Sequence, residues 1–209
     1  MIIMQTACAI ARRDYLISTN RAKVIFSHEL EDSICIQYHP KGIKGGVIPE
    51  LDSHFSRDGV GDGVRERFAP WHACGPSGGF EGYGTGMRRQ GHLHLLSASL
   101  QLAPGDSDTE RAAKQWEDLF GVQRVGNGEV GFTNARMSFL AGKEGESEGL
   151  KEIVVGVEGT GNLDGILKGA RGEGLNVDEG SRDRIGVFDM LGVRWTIVLL
   201  DEGPVKSQL

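Results

Sequence analysis

Cysteine is scarce in this chain of 209 residues, and what there is does not form a pattern. Cys8, Cys35 and Cys74 are odd in number and far apart, which argues against a disulfide framework and fits reduced thiols in a cytoplasmic setting. A block of basic residues is also missing. Net charge is −6 with acids and bases interspersed, so no nucleic-acid surface is expected. No apolar run approaches the ~20 residues that span a bilayer, so no membrane partner is expected. The opening MIIMQTACAI is apolar, but Arg12 and Arg13 follow it. A secretory signal has the opposite order, so this run reads as a first strand.

The rest of the composition is that of a globular protein with 39% hydrophobic and 25% charged residues, long enough for one large domain or one and a half. Glycine is abundant, at 32 residues. Much of it falls at tight turns such as Lys44-Gly45-Gly46 and Gly126-Asn127-Gly128, where a positive φ carries no steric cost. Gly75–Gly86 is denser than turns require and reads as a loop that moves or lies against something. It lacks the strand–Gly-x-Gly-x-x-Gly–helix setting of a nucleotide loop.

Residues 1–54 read as β structure, with strands at Arg21–His28, Ser33–Tyr38 and Gly46–Asp52 and no helix. Residues 55–90 read as a Gly-rich connection or lid, because loops of this length in a compact domain are usually functional or disordered. The remainder is a duplication. Gly91–Leu102 reads as a strand, Ser107–Phe120 as an amphipathic helix and Val122–Leu140 as short strands. The same order then returns with a strand at Leu150–Glu158, a helix at Asn162–Leu175 and strands at Asn176–Leu200. His92 to Leu140 and Glu152 to Leu200 have equal lengths. Ser107-Asp108-Thr109-Glu110 has the form of a capping box. The helix stripes are Ala112, Ala113, Trp116, Leu119 and Phe120 in the first copy, and Leu163, Ile166, Leu167 and Ala170 in the second.

Laying the opening strands over each other matches Leu93 and Leu95 with Ile153 and Val155, which should pack under the helices. His92 and His94 then match Glu152 and Val154 on the opposite face. Two imidazoles and a carboxylate on one face have the chemistry of metal ligands or of an acid–base pair, or they are polar residues at strand ends. A second polar cluster is Glu50, Asp52 and His54, spaced i, i+2, i+4. If the strand continues to His54, all three share a face and offer ligands for Fe, Mn, Zn or Ni. The alternative is a strand running out into a polar loop. His72 beside Trp71 and Cys74 is isolated in sequence.

Gly-His-Leu-His-Leu-Leu at 91–96, the strand at 150–157 and the repeated order of elements resemble the vicinal oxygen chelate superfamily, which includes glyoxalases, extradiol dioxygenases and bleomycin-resistance proteins. The resemblance implies an α+β fold of paired βαβββ modules curled around a pocket, here over residues 91–203. The N-terminal β segment at 1–54 then reads as a degenerate module that has kept its strands and lost its helix. His92 and Glu152 fall at the positions where such modules carry metal ligands or catalytic groups. The closing strands, Ala135–Leu140 and Gly192–Leu200, contain no acidic residue, so Glu50 or His54 would have to complete the metal set. The implied protein is a small-molecule enzyme (a lyase, isomerase or dioxygenase) that uses a divalent metal and acts as a homodimer. The alternative is a metal-free binding protein or cyclase whose pocket draws on Trp71 and Phe80. An assembly module that pairs its sheet edges with a second copy is a third reading.

Overall fold

The computed structural model of the chain describes residues 1–30, 33–54, 85–86, 89–180 and 184–200. Three successive stretches repeat one topology. The first comprises β1 (Ile2–Gln5), α1 (Ala9–Ser18), β2 (Val24–Glu29), β3 (Ser33–Tyr38) and β4 (Pro49–His54). The second comprises β5 (Leu93–Gln101), α2 (Thr109–Phe120), β6 (Gln123–Gly126), β7 (Glu129–Gly131) and β8 (Arg136–Leu140). The third comprises β9 (Gly149–Glu158), α3 (Thr160–Gly172), β10 (Asp178–Glu179), β11 (Ile185–Met190) and β12 (Val193–Leu200). In each, the first strand lies parallel to the fourth and the others follow antiparallel. The first module forms a four-stranded sheet of order β1-β4-β3-β2. The other two join through antiparallel β5 and β9 into an eight-stranded sheet of order β10-β11-β12-β9-β5-β8-β7-β6.

The N-terminal segment therefore has a helix, which corrects the expectation of a helix-less β segment. The apolar run at the start holds two elements: the strand ends at Gln5 and the helix begins at Ala9. Its sequence conceals it. The N-cap is Cys8, whose Sγ accepts from Ala11 N at 3.4 Å, the first turn carries no acid, and only Ala9 and Leu16 are buried. The capping box is also corrected. Asp108 is the N-cap of α2 and accepts from Arg111 N at 3.0 Å. Glu110 instead accepts from Gly128 N at 3.1 Å and pairs with Arg124, tying the helix to the β6–β7 hairpin. Helix α3 starts after Gly159 with no side-chain cap, and Asn162 Nδ2 donates to Glu158 O at 2.8 Å.

Two apolar cores hold the sheets. One joins the first two modules: Leu16, Ile34, Ile36, Tyr38 and Leu51 pack with Leu100, Leu102, Trp116, Phe120, Met137 and Phe139. The turn after β3 closes it. Gln115 grips that turn twice, accepting from Lys44 N at 2.8 Å and donating to Gly42 O at 2.7 Å, and Trp116 Nε1 donates to Lys44 O at 2.9 Å. Gly45, at φ +103, lies so close to the sheet that a Cβ there would meet Leu100 Cδ1 at 2.8 Å. The second core belongs to the third module and contains Val157, Leu163, Leu167, Ala170, Phe188 and Ile197, with Leu93 and Val155 packed against it. Leu95, expected under a helix, is 46% exposed. A register shift between Leu95 and Ser97 interrupts the alternation of faces along β5.

Trp116 is fully buried, touches Phe120 edge-on at 5.1 Å between ring centroids and holds the Lys44 carbonyl. Trp116→Ala should therefore destabilise the fold by about 3–5 kcal/mol, the range for large aromatic truncations in a core. Urea unfolding measures this, and a loss below ~1 kcal/mol would mean that the core relaxes around the cavity.

Candidate functional site

Strand β4 divides its side chains by alternation. Leu51 enters the core. Ser53 Oγ accepts from Ala9 N at 2.6 Å and donates to Thr6 O at 2.8 Å, which fixes the entry into α1. Glu50 and Asp52 therefore point to the face away from α1. Register brings further groups alongside them: Cys35 opposes Asp52 and Gln37 opposes Glu50, while Gln5 on β1 lies beside Asp52 and His28 on β2 lies beside Cys35. Both carboxylates are almost fully buried, Glu50 at 4% and Asp52 at 3% exposure. Ligand atoms of Cys35, Glu50 and Asp52 all lie within 4.8 Å of one another, the only such group among the described residues.

Two acids this close and this dry cannot both ionise freely. Gln37 Nε2 donates to Glu50 Oε2 at 2.6 Å. Asp52 carries the conflict. Burial first, and then the neighbouring Glu50, push its carboxyl up to about 7, and its Oδ1 has no hydrogen-bond partner among the described residues. Burial, followed by the charges of Glu50 and Asp52, also pushes the Cys35 thiol up to about 12. An isolated Cys35 is thus a protonated thiol at neutral pH and a poor nucleophile. A divalent cation among the three would reverse each of these costs. It would satisfy the lone oxygen, draw both carboxyls to the ionised form and deprotonate the thiol. The donor set of a thiolate and two carboxylates fits such an ion.

The eight-stranded sheet has its own polar face, opposite the side chains that pack on α3. There His94 Nε2 lies 2.9 Å from Glu158 Oε1, and Thr196 Oγ1 donates to Glu152 Oε1 at 3.0 Å. Ser99 and Ser138 share a hydrogen bond of 3.0 Å. His92 and Glu152 are not brought together. The His92 carbonyl accepts from Glu158 N at 3.0 Å, which places His92 six residues from Glu152 along β9, about 20 Å at strand rise. Nor do these two join Glu50, which lies in the other sheet. The proposed set of His92, Glu152, Glu50 and His54 is therefore not one cluster. The antiparallel register of β5 and β9 carries the strand starts to opposite ends of their ladder. β4 does continue to His54, which pairs with Ser33 in the backbone, but the His54 side chain lies outside the described residues. So does nearly all of the expected lid at 55–90, with Trp71, His72, Cys74 and Phe80. An open cleft of about 620 Å³ lies between α2 and the turn after β3, among Arg21, Lys44, Lys114 and Asp118. These four pair within the chain, Arg21 and Lys114 with Asp118 and Lys44 with Asp106, and none of the site residues above reaches the cleft.

Three solved structures match nearly the whole chain. A hypothetical protein from Staphylococcus aureus aligns at TM-score 0.53 and 8% identity, over 95% of this chain and 65% of that one. The Mn(II)-bound glyoxalase from Novosphingobium aromaticivorans aligns at 0.53 and 12%, over 95% and 62%. A halotolerant catechol dioxygenase aligns at 0.51 and 10%, over 95% and 66%. The chain has the vicinal oxygen chelate fold. It spans about two thirds of the length of these three chains. No protein-family model matches it, and no curated protein matches it significantly. No helix among the described residues is long and apolar enough to cross a membrane.

Cys35 was the site residue that sequence reading did not select. The signal was present: in Ser33–Tyr38, Cys35 and Gln37 alternate with Ile34, Ile36 and Tyr38, so Cys35 belongs to the non-core face. What was missing was the hairpin register that sets it beside Asp52. The raised Asp52 carboxyl has a consequence for stability in metal-free protein. Its native pKa of about 7 lies above the unfolded value of 3.8, so the native state binds more protons between these limits. Stability should fall as pH rises through that window and stay low above it. Asp52→Asn should flatten the slope and raise stability at alkaline pH by a few kcal/mol. Urea melts across the window, with chelator present, measure both effects. A wild type as stable above the window as below it would contradict the assignment.

Proposed function

We propose that the protein is a small-molecule enzyme of the glyoxalase-like type, with a divalent metal held by Glu50, Asp52 and Cys35 on the face of the first sheet. The observation that carries this reading is the buried Asp52 oxygen without a partner, next to a second buried carboxylate and a thiol. Gln37 would fix the orientation of Glu50 through its 2.6 Å hydrogen bond. The metal, when bound, would polarise an oxygen of the substrate and stabilise an oxyanion or enolate. That chemistry serves a lyase, an isomerase or an oxygenase. A thiolate beside two carboxylates suits zinc or iron better than magnesium or calcium, and the carboxylates also suit manganese. The neighbours in structure, a Mn(II)-bound glyoxalase and a catechol dioxygenase, support a small-molecule substrate.

A second reading, a metal-free binding protein or cyclase, draws on the other sheet. There the 2.9 Å contact between His94 and Glu158 orients an imidazole for proton transfer, and His92 and Glu152 lie farther along as candidate acid–base groups.

Metal analysis of untagged protein separates the two readings. About one zinc, iron, manganese or nickel ion per chain is expected, and Glu50→Gln or Asp52→Asn should lower occupancy at least tenfold, because three-ligand sites lose most of their affinity with one ligand. His94→Ala should leave occupancy unchanged. Metal-free wild-type protein that resists reconstitution would remove the first reading. Turnover then lost by ~10²–10⁴-fold in His94→Ala would establish the second.

A further inference from the structure

The open cleft between α2 and the turn after β3 is lined by four cations, Arg21, Lys44, Arg111 and Lys114. The acids that face them are too few. Lys114 Nζ and Arg21 Nη2 share Asp118, at 3.2 Å and 3.7 Å. The second of these distances is beyond hydrogen-bond reach, so the Arg21 fork is not used up by Asp118. Lys44 pairs with Asp106. That hydrogen bond, and less strongly the charge of Arg111, hold the Asp106 carboxyl below its ordinary range. Arg111 forms no ion pair of its own among the described residues. Glu148 also lines the cleft, but its Oε1 accepts from Gly45 N at 2.7 Å and so serves the turn. Each end of the cleft thus sets two cations against one acid, in a chain whose net charge is −6. A purely structural ion-pair network would balance its charges.

The walls of the cleft are fixed to each other. Gln115 holds the turn at both Lys44 N and Gly42 O, and Trp116 Nε1 holds the Lys44 carbonyl. Arg111, Lys114 and Gln115 lie one turn apart on one face of α2. The backbones that carry Lys44, Arg111 and Lys114 are therefore at a set separation before any ligand arrives, which lowers the cost of binding. The volume of about 620 Å³ is in the range of small-molecule sites.

We propose that this cleft binds a phosphorylated small molecule through its phosphate, with Arg111 as the main recognition residue and Lys44, Lys114 and Arg21 around it. A guanidinium fork matches two oxygens of a phosphate, and ammonium groups act as point charges on the others. A single carboxylate would compensate the excess charge at only one end of the cleft, whereas a phosphate dianion or a diphosphate serves both. None of Cys35, Glu50 and Asp52 lines the cleft, so the binding requires no metal and does not rest on the proposed catalytic site. The ligand would bridge α2 and the turn that follows the Cys35 strand.

Calorimetric titration of the full chain with pyrophosphate, at constant ionic strength, tests the site. One site per chain is expected, with Kd at or below about 1 mM, and saturating pyrophosphate should raise the melting temperature. Arg111→Gln should weaken binding by about tenfold or more, the loss of a charge-assisted bidentate contact, with the ligand-free melting temperature unchanged. Lys114→Gln should act in the same direction and keeps the test open if Arg111→Gln fails to fold. Lys143→Gln, which touches only the Glu146 pair away from the cleft, should bind as wild type does. Asp52→Asn should also bind as wild type does, which separates this site from the metal site. Absence of saturable binding up to about 10 mM pyrophosphate would overturn the proposal. So would binding that both cleft variants leave intact, or binding that Asp52→Asn abolishes.

Discussion

The parallel pairing of first and fourth strands organises everything else in this molecule. Parallel neighbours cannot be joined by a hairpin, so the chain must leave the sheet and return. It does so in each module through one helix and two antiparallel strands, β1 to β4, β5 to β8 and β9 to β12. Because each helix packs on one side, the side chains of alternate parity are left with no helix to meet. Polar groups collect on that second face: Glu50, Asp52 and Cys35 in one sheet, His94, Glu158, Glu152 and Thr196 in the other. The candidate chemistry of the protein is thus an outcome of its topology before any particular residue is considered.

Much of this could be read from the chain, and the exceptions have specific causes. Helix α2 was legible because Ala112, Ala113, Trp116, Leu119 and Phe120 all fall on one stripe and all are buried. Helix α1 was not, because Tyr15 and Ile17 are exposed while Ala9 and Leu16 are buried, so apolar character does not follow the helical period. The carboxylates at 50 and 52 were legible from their spacing. Their neighbour Cys35 depends on a turn containing Gly42, Gly45 and Gly46 at positive φ, whose geometry sets which residue faces which. The grouping of His92 with Glu152 failed for a related reason. Equal position within two repeats is not proximity when the repeats meet antiparallel, since what superposes under a twofold can lie at opposite ends of the shared ladder.

The buried acid pair also shows how fold and site oppose each other. Glu50 and Asp52 occupy the strand that closes the first module, in positions where apolar side chains would serve the sheet better. Gln37 relieves one of them; Asp52 keeps an oxygen with no protein partner among the described residues. Retaining such a group in a sheet interior is destabilising by the full desolvation of a polar atom. Strain of this kind is expected where a ligand completes the coordination.

The distribution of apolar packing has a further consequence for how the molecule comes apart. The first and second modules share one core, stapled by Gln115 and Trp116 to the turn after β3, while the third has a smaller core of its own. The border between them runs through β5, whose Leu93 packs on the core of the third module and whose Leu100 belongs to the core shared by the first two. A continuous hydrogen-bonded sheet therefore spans two separate apolar cores. The smaller core of the third module makes it the expected first part to open, with Leu150 of β9 still held by the larger core. Glu158 belongs to the third module, so the His94 contact would be the more easily lost, and the group of Glu50, Asp52 and Cys35 the more persistent.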